Sequence, residues 1–152
     1  MPISLDSNMM REIIMDHYSN PLNKRKPENL DGYLTIRMDS DSCVDDITIY
    51  LKVEDDKIKE AMFDGVACAI STASTDILCG MIEGKTKEEA LYIIKQYENM
   101  IFEKEYDDSC LEELVAFHNT HKQAARIKCA TIGFRGVESL LEPSSEDNKN
   151  EQ

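Results

Sequence analysis

Three cysteines stand where the chain turns or a helix begins, and a carboxylate follows close behind one of them. Cys43 lies in the run DSDSCVDD, Cys68 in DGVACAIS and Cys129 in RIKCATIGF. A cysteine thiolate is both a soft metal ligand and a sulfur nucleophile. Asp45 is two residues beyond Cys43, within reach of the same ion. Three thiolates and one carboxylate make a tetrahedral donor set that suits zinc. Four anions around one divalent cation leave excess negative charge, and Arg126, near Cys129, is the cation placed to offset it. At the start of a helix the positive end of the dipole favours the Cys68 thiolate. Arg126 and Lys128 are expected to do the same for Cys129.

Spacing alone leaves a second reading open. The chain has five cysteines and no C-x-x-C pair, and cysteine often does no more than fill a core. Cys79, beside Leu78 and Met81, and Cys110, at the start of a helix without a companion motif, read as structural. His17 reads as packed in the first helix. His118 and His121, three apart, read as a surface pair.

The elements that must position these residues follow from periodicity. Leu5 to Ser19 reads as an amphipathic helix stopped at Pro21, and 23–31 as a polar loop. Alternation of apolar and polar residues predicts strands over Leu34–Met38, Ile47–Val53 and Ile58–Phe63, with a tight turn at Asp55-Asp56. A helix carrying Ile70, Ala73, Ile77, Leu78 and Met81 follows and ends at Gly84. Two capping-box patterns, Thr86 to Glu89 and Ser109 to Glu112, predict two more helices. A last helix spans Ala124–Leu141, with Gly133 and Gly136 placed for close packing. The expectation is an α+β domain over residues 1–142, a three-stranded antiparallel sheet packed against about five helices. Residues 143–152, PSSEDNKNEQ, read as a disordered acidic and polar tail.

Charge sets the class of partner. Thirty acidic against seventeen basic residues give a net charge of −13. Such a chain does not neutralise phosphate backbones or anionic membranes. The first twenty residues lack the basic leader and apolar stretch of a signal peptide. A cytoplasmic chain is expected, where thiols stay reduced and serve metals or chemistry rather than disulfides.

Four segments together carry a resemblance: HYSNPLNKR from His17, CVD at Cys43–Asp45, FDGVACAISTAS around Cys68 and RIKCATIGF around Cys129. The chain resembles the IscU/NifU-type iron–sulfur assembly family, and most of all its SufU branch, over nearly all of its length except the tail. The resemblance implies a SufE/NifU-like fold and a zinc-dependent sulfurtransferase partnered with a pyridoxal-phosphate cysteine desulfurase of the SufS type. It implies Cys43 as sulfur acceptor, zinc held by Cys43, Asp45, Cys68 and Cys129, and Arg126 assisting. It also implies a second role, a non-enzymatic scaffold on which an iron–sulfur cluster is built. Scaffold members place His before the last cysteine, where this chain has Lys128, and carry an LPPVK-like motif absent here. The SufU-like members have an extra stretch to which Phe102–Asp108 corresponds. Val44 and Ala67 replace glycines usual in the family. A free monomer is expected.

Overall fold

The computed structural model describes residues 6–39 and 44–142. Helix α1 spans Ser7–Ser19, capped by Asp6, whose Oδ1 accepts the Met9 N–H at 2.8 Å. Strands β1 (Leu34–Asp39), β2 (Asp46–Glu54) and β3 (Lys57–Val66) follow. Next come α2 (Ala69–Ile82), α3 (Lys87–Ile101) and α4 (Ala124–Leu141), with three 3-10 turns between α3 and α4.

The sheet is an antiparallel meander in the order β1-β2-β3. Asp55 and Asp56 carry φ of 53° and 65° between the paired residues Glu54 and Lys57. Two left-handed residues in a two-residue loop match the twist of the strands they join. Ile47, Ile49 and Leu51 face the core and are fully buried. The outer edge of β3 is covered by the chain after α1: Phe63 donates to Asn23 O at 3.1 Å and accepts from Arg25 N–H at 2.8 Å. That pairing blunts an edge that would otherwise template aggregation.

Close packing fixes α4. A Cβ at Gly133 would overlap the Thr75 side chain of α2, and one at Gly136 would stand 3.0 Å from Met38 Cγ. Tyr97 of α3 stacks on Phe134 at 3.8 Å between centroids and donates its hydroxyl to Ala130 O at 2.8 Å. The Thr86–Glu89 capping box forms as expected, with both reciprocal bonds present.

The other capping-box pattern does not open an α-helix. Residues 108–122 form 3-10 turns instead. Asp107 is the reason: its Oδ1 accepts both the Ser109 amide, which a capping box would give to the Glu112 side chain, and the Ser109 hydroxyl, which is thereby turned away from the Glu112 amide. Glu112 then adopts φ 48°, which breaks any α-helical run. Among the described residues, no helix is long and apolar enough to cross a membrane.

Helix α1 is tied to α2 by a polar knot. Asp76 is fully buried in α2. Its Oδ1 accepts the Asn23 N–H at 2.7 Å, and its Oδ2 meets His17 Nδ1 at 2.6 Å. His17 Nε2 lies 3.1 Å from Glu113. Burial opposes charge on the imidazole, but the hydrogen bonds and charges of Asp76 and Glu113 outweigh it and raise the pKa above 6.5. A pKa raised in the folded state contributes stability that is complete below about 6.5 and is lost as pH rises through the folded value. His17→Asn is therefore expected to cost about 1.5–3 kcal/mol near pH 6, the range for bonds to charged groups. Urea unfolding of both proteins in the same metal state should show the gap shrinking toward pH 9.

Candidate metal centre

The β1–β2 connection, the N-terminus of α2 and the second turn of α4 meet at one place. Asp45 stands just before β2, Cys68 is the N-cap of α2, and Cys129 faces them from α4. Each offers one ligand atom, and the three atoms lie within 4.8 Å of one another. Ligands about 2.3 Å from a tetrahedral zinc stand roughly 3.8 Å apart, so a small contraction closes the set. Two thiols and a carboxylate are the donor chemistry that zinc accepts. Of the residues singled out by sequence, Asp45, Cys68 and Cys129 are thus brought together. Cys43 lies outside the described residues.

Local structure explains the placement. An α-helix begins with amide groups that lack intrahelical partners. Here Asp45 Oδ1 accepts the Cys68 N–H at 2.9 Å, and Cys68 Sγ accepts the Ser71 N–H at 3.4 Å. The Ser71 hydroxyl donates to Asp45 Oδ2 in a short hydrogen bond. Gly65, with φ 132°, lets β3 approach the Asp46 carbonyl so closely that any Cβ would collide with it. Across the hairpin, the Arg37 guanidinium forks onto both Asp46 oxygens at 2.9 and 2.7 Å. This bidentate bond, above all, holds the Asp46 carboxyl below its ordinary pKa. The start of β2, directly after Asp45, is therefore pinned from both neighbouring strands.

Asp45 and Cys129 are 2% and 5% exposed, whereas Cys68 is partly open. Val44 and Val66, next to Asp45 and Ala67 along the chain, are 67% and 70% exposed. Among the described residues, solvent therefore reaches the centre mainly at Cys68. Ala67, in the place of a glycine, has no left-handed backbone, so alanine fits there without strain.

The expectation that Arg126 and Lys128 favour a Cys129 thiolate is corrected. Burial pushes this thiol up to about 12, helped by its hydrogen bonds and repulsion with Cys68 and Asp45. It donates instead to Ala125 O at 3.8 Å. Arg126 and Lys128 are both exposed. Their charges are screened by water, while the two acidic neighbours act at close range. Arg126 lies one turn before Cys129 and lines a groove with Arg11, Met10 and Ile14 of α1. Among the described residues it forms no ion pair.

Cys79, Cys110 and His118 sit as expected, while the side chain of His121 lies outside what the structure describes. Cys79 is fully buried, and burial above all raises its pKa. Cys110 donates to Asp107 O at 3.3 Å. His118 is exposed. Sequence reasoning missed Ser71, and it missed that His17 is bound to a buried carboxylate. Neither has a local signature, because their partners lie 26 and 59 residues away.

Comparison with known proteins agrees with this geometry. The family model described as the NifU-like N-terminal domain matches residues 9–129. The chain belongs to that family. It is 38% identical over 131 residues to the zinc-dependent sulfurtransferase SufU of Bacillus subtilis, covering 86% of this chain and 87% of that protein. It is 33% identical over 138 residues to the iron–sulfur cluster assembly scaffold protein IscU of Thermotoga maritima, covering 90% and 95%. A crystal structure from Fervidobacterium islandicum, of a candidate iron–sulfur cluster assembly scaffold for the SUF system, matches with a TM-score of 0.80 at 35% identity. That match covers 90% of this chain and 100% of the other.

Substitution tests the donor set. Cys68→Ser and Cys129→Ser should each lower bound zinc well below the roughly one ion per chain of a single tetrahedral site. Cys110→Ser should leave it unchanged. Metal analysis of the three purified variants decides the point.

Proposed function

We propose that this protein is a zinc-dependent sulfurtransferase of iron–sulfur cluster assembly that accepts persulfide sulfur from a SufS-like cysteine desulfurase. The convergence of Asp45, Cys68 and Cys129 at one place carries the reading, in a chain 38% identical to a protein named for that activity. Cys43 completes the donor set. Its place two residues before Asp45 keeps its Cα within about 7 Å of that of Asp45, which supports the assignment.

Bound zinc supplies no redox chemistry; it keeps thiolates deprotonated and fixes their geometry. The chain's own residues divide the work. Asp45, Cys68 and Cys129 hold. The Cys43 thiolate attacks the outer sulfur of the donor's persulfide. A bond forms between Cys43 Sγ and that sulfur, the donor's sulfur–sulfur bond breaks, and the donor cysteine leaves as a thiolate. Arg126, exposed on the turn before Cys129, assists from the surface, where its charge meets the negative sulfur of an arriving donor. We read residues 1–142 as one domain, free as a monomer in the cytoplasm; the segment 143–152, expected as a tail, lies outside the described residues.

A second reading, a scaffold for an iron–sulfur cluster, is favoured by the 33% match to a protein named as one. Lys128, where scaffolds resembling this chain place His, weighs against it. Colour and metal separate the two: a zinc protein is colourless, a cluster-bearing one brown.

The deciding experiment uses one preparation. Metal is analysed, then a cysteine desulfurase is assayed with and without the protein, and persulfide is mapped by mass spectrometry. Expected are zinc, acceleration, and persulfide on Cys43 that disappears together with the acceleration in Cys43→Ala. Full acceleration by Cys43→Ala would overturn the acceptor role.

A further inference from the structure

Two donors of the metal centre are held by a residue that is not itself a donor. Ser71 is fully buried in the first turn of α2. Its hydroxyl donates to Asp45 Oδ2 and lies 3.4 Å from Cys68 Sγ. Its amide donates to Cys68 Sγ, also at 3.4 Å. With the Cys68 N–H on Asp45 Oδ1, a closed ring of hydrogen bonds runs through Asp45, Cys68 and Ser71.

A serine inside a helix ordinarily bonds back to the carbonyl four residues earlier. Here that carbonyl, on Ala67, accepts the Thr72 hydroxyl instead. The Ser71 hydroxyl crosses to a carboxylate 26 residues away in sequence. We propose that Ser71 is the positioning residue of the metal centre, orienting the Asp45 carboxylate and the Cys68 sulfur before any ion arrives. This rests on the reading that Asp45 and Cys68 bind zinc.

The chemistry gives it a defined role. Hydrogen bonds on both oxygens stop the carboxylate from rotating, so its remaining lone pairs keep one direction. The occupied oxygens favour one-oxygen ligation, which suits a four-coordinate ion. The amide donor stabilises negative charge on the Cys68 sulfur. Partners that orient metal ligands in this way typically change affinity by 10–100-fold when removed.

The test measures zinc affinity of the metal-free full chain by competition with a chromophoric chelator. Ser71→Ala is expected to bind zinc about 10–100-fold more weakly. Ser71→Thr and Ser71→Val share one shape and differ in the hydroxyl. Threonine should bind at least about 10-fold more tightly than valine, a difference that lost packing cannot produce. Ser74→Ala is the control, since the Ser74 hydroxyl, equally buried on the same helix, bonds Ser71 O and touches no donor. It should lower thermal stability without changing zinc affinity. Cobalt absorption of the Ser71→Ala protein should shift, reporting an altered ligand field. Equal affinities for threonine and valine, or for Ser71→Ala and wild type, would overturn the proposal. Failure of the wild type itself to take up zinc would overturn the functional reading beneath it instead.

Discussion

A helix needs something to accept the amide groups at its start, and α2 uses the metal centre for this. The Asp45 carboxylate takes the Cys68 amide, and the Cys68 sulfur takes that of Ser71. The groups that finish the helix are the groups that could hold an ion. Structure and site are therefore one set of bonds. Removing Asp45 or Cys68 uncaps α2, a loss of about 0.5–2 kcal/mol for an N-cap, whether or not metal is present. It also explains how a centre drawn from three distant segments can be in place before binding: β2, α2 and α4 are already joined by their packing.

The polar burial of α2 is the less obvious half of the architecture. Ser71, Thr72, Ser74, Thr75 and Asp76 are all buried. One end of this polar run turns toward the metal centre through Ser71, the other toward α1 through Asp76 and His17. Apolar side chains could fill the same volume but could not bind a carboxylate at one end and an imidazole at the other. Such networks rigidify a core when every member is satisfied. Thr75 Oγ1, pressed against Gly133, has no partner among the described residues. It marks where tight packing of α2 on α4 has won over hydrogen bonding.

Legibility in the sequence followed the range of the interaction. Strand alternation at Ile47, Ile49 and Leu51, the Thr86–Glu89 box and the close-packing glycines are local patterns, and each appears as read. The three cysteine segments could be marked as special, yet their meeting needed either the family resemblance or the fold. What stayed hidden was decided from a distance or by competition. The stripe of Ile70, Ala73 and Ile77 shows that α2 has an apolar face, but not that its polar face is covered too. Ser109 has the right neighbour for a capping box, but Asp107 takes its bonds first. Arg126 is close to Cys129 along the chain, yet water lies around it while Asp45 and Cys68 share the pocket.

The pinned hairpin sets the length of a leash. Asp45 is held by α2, and Cys43 is attached to it through two peptide units. Whatever the course of the chain between them, their Cα atoms can never be more than about 7 Å apart. A sulfur on so short a tether cannot travel to a donor buried deep in another protein. In the proposed transfer the donor would therefore have to bring its sulfur to Cys43 rather than wait for Cys43 to reach it. Partner choice for such a transfer would then turn on reach as much as on affinity.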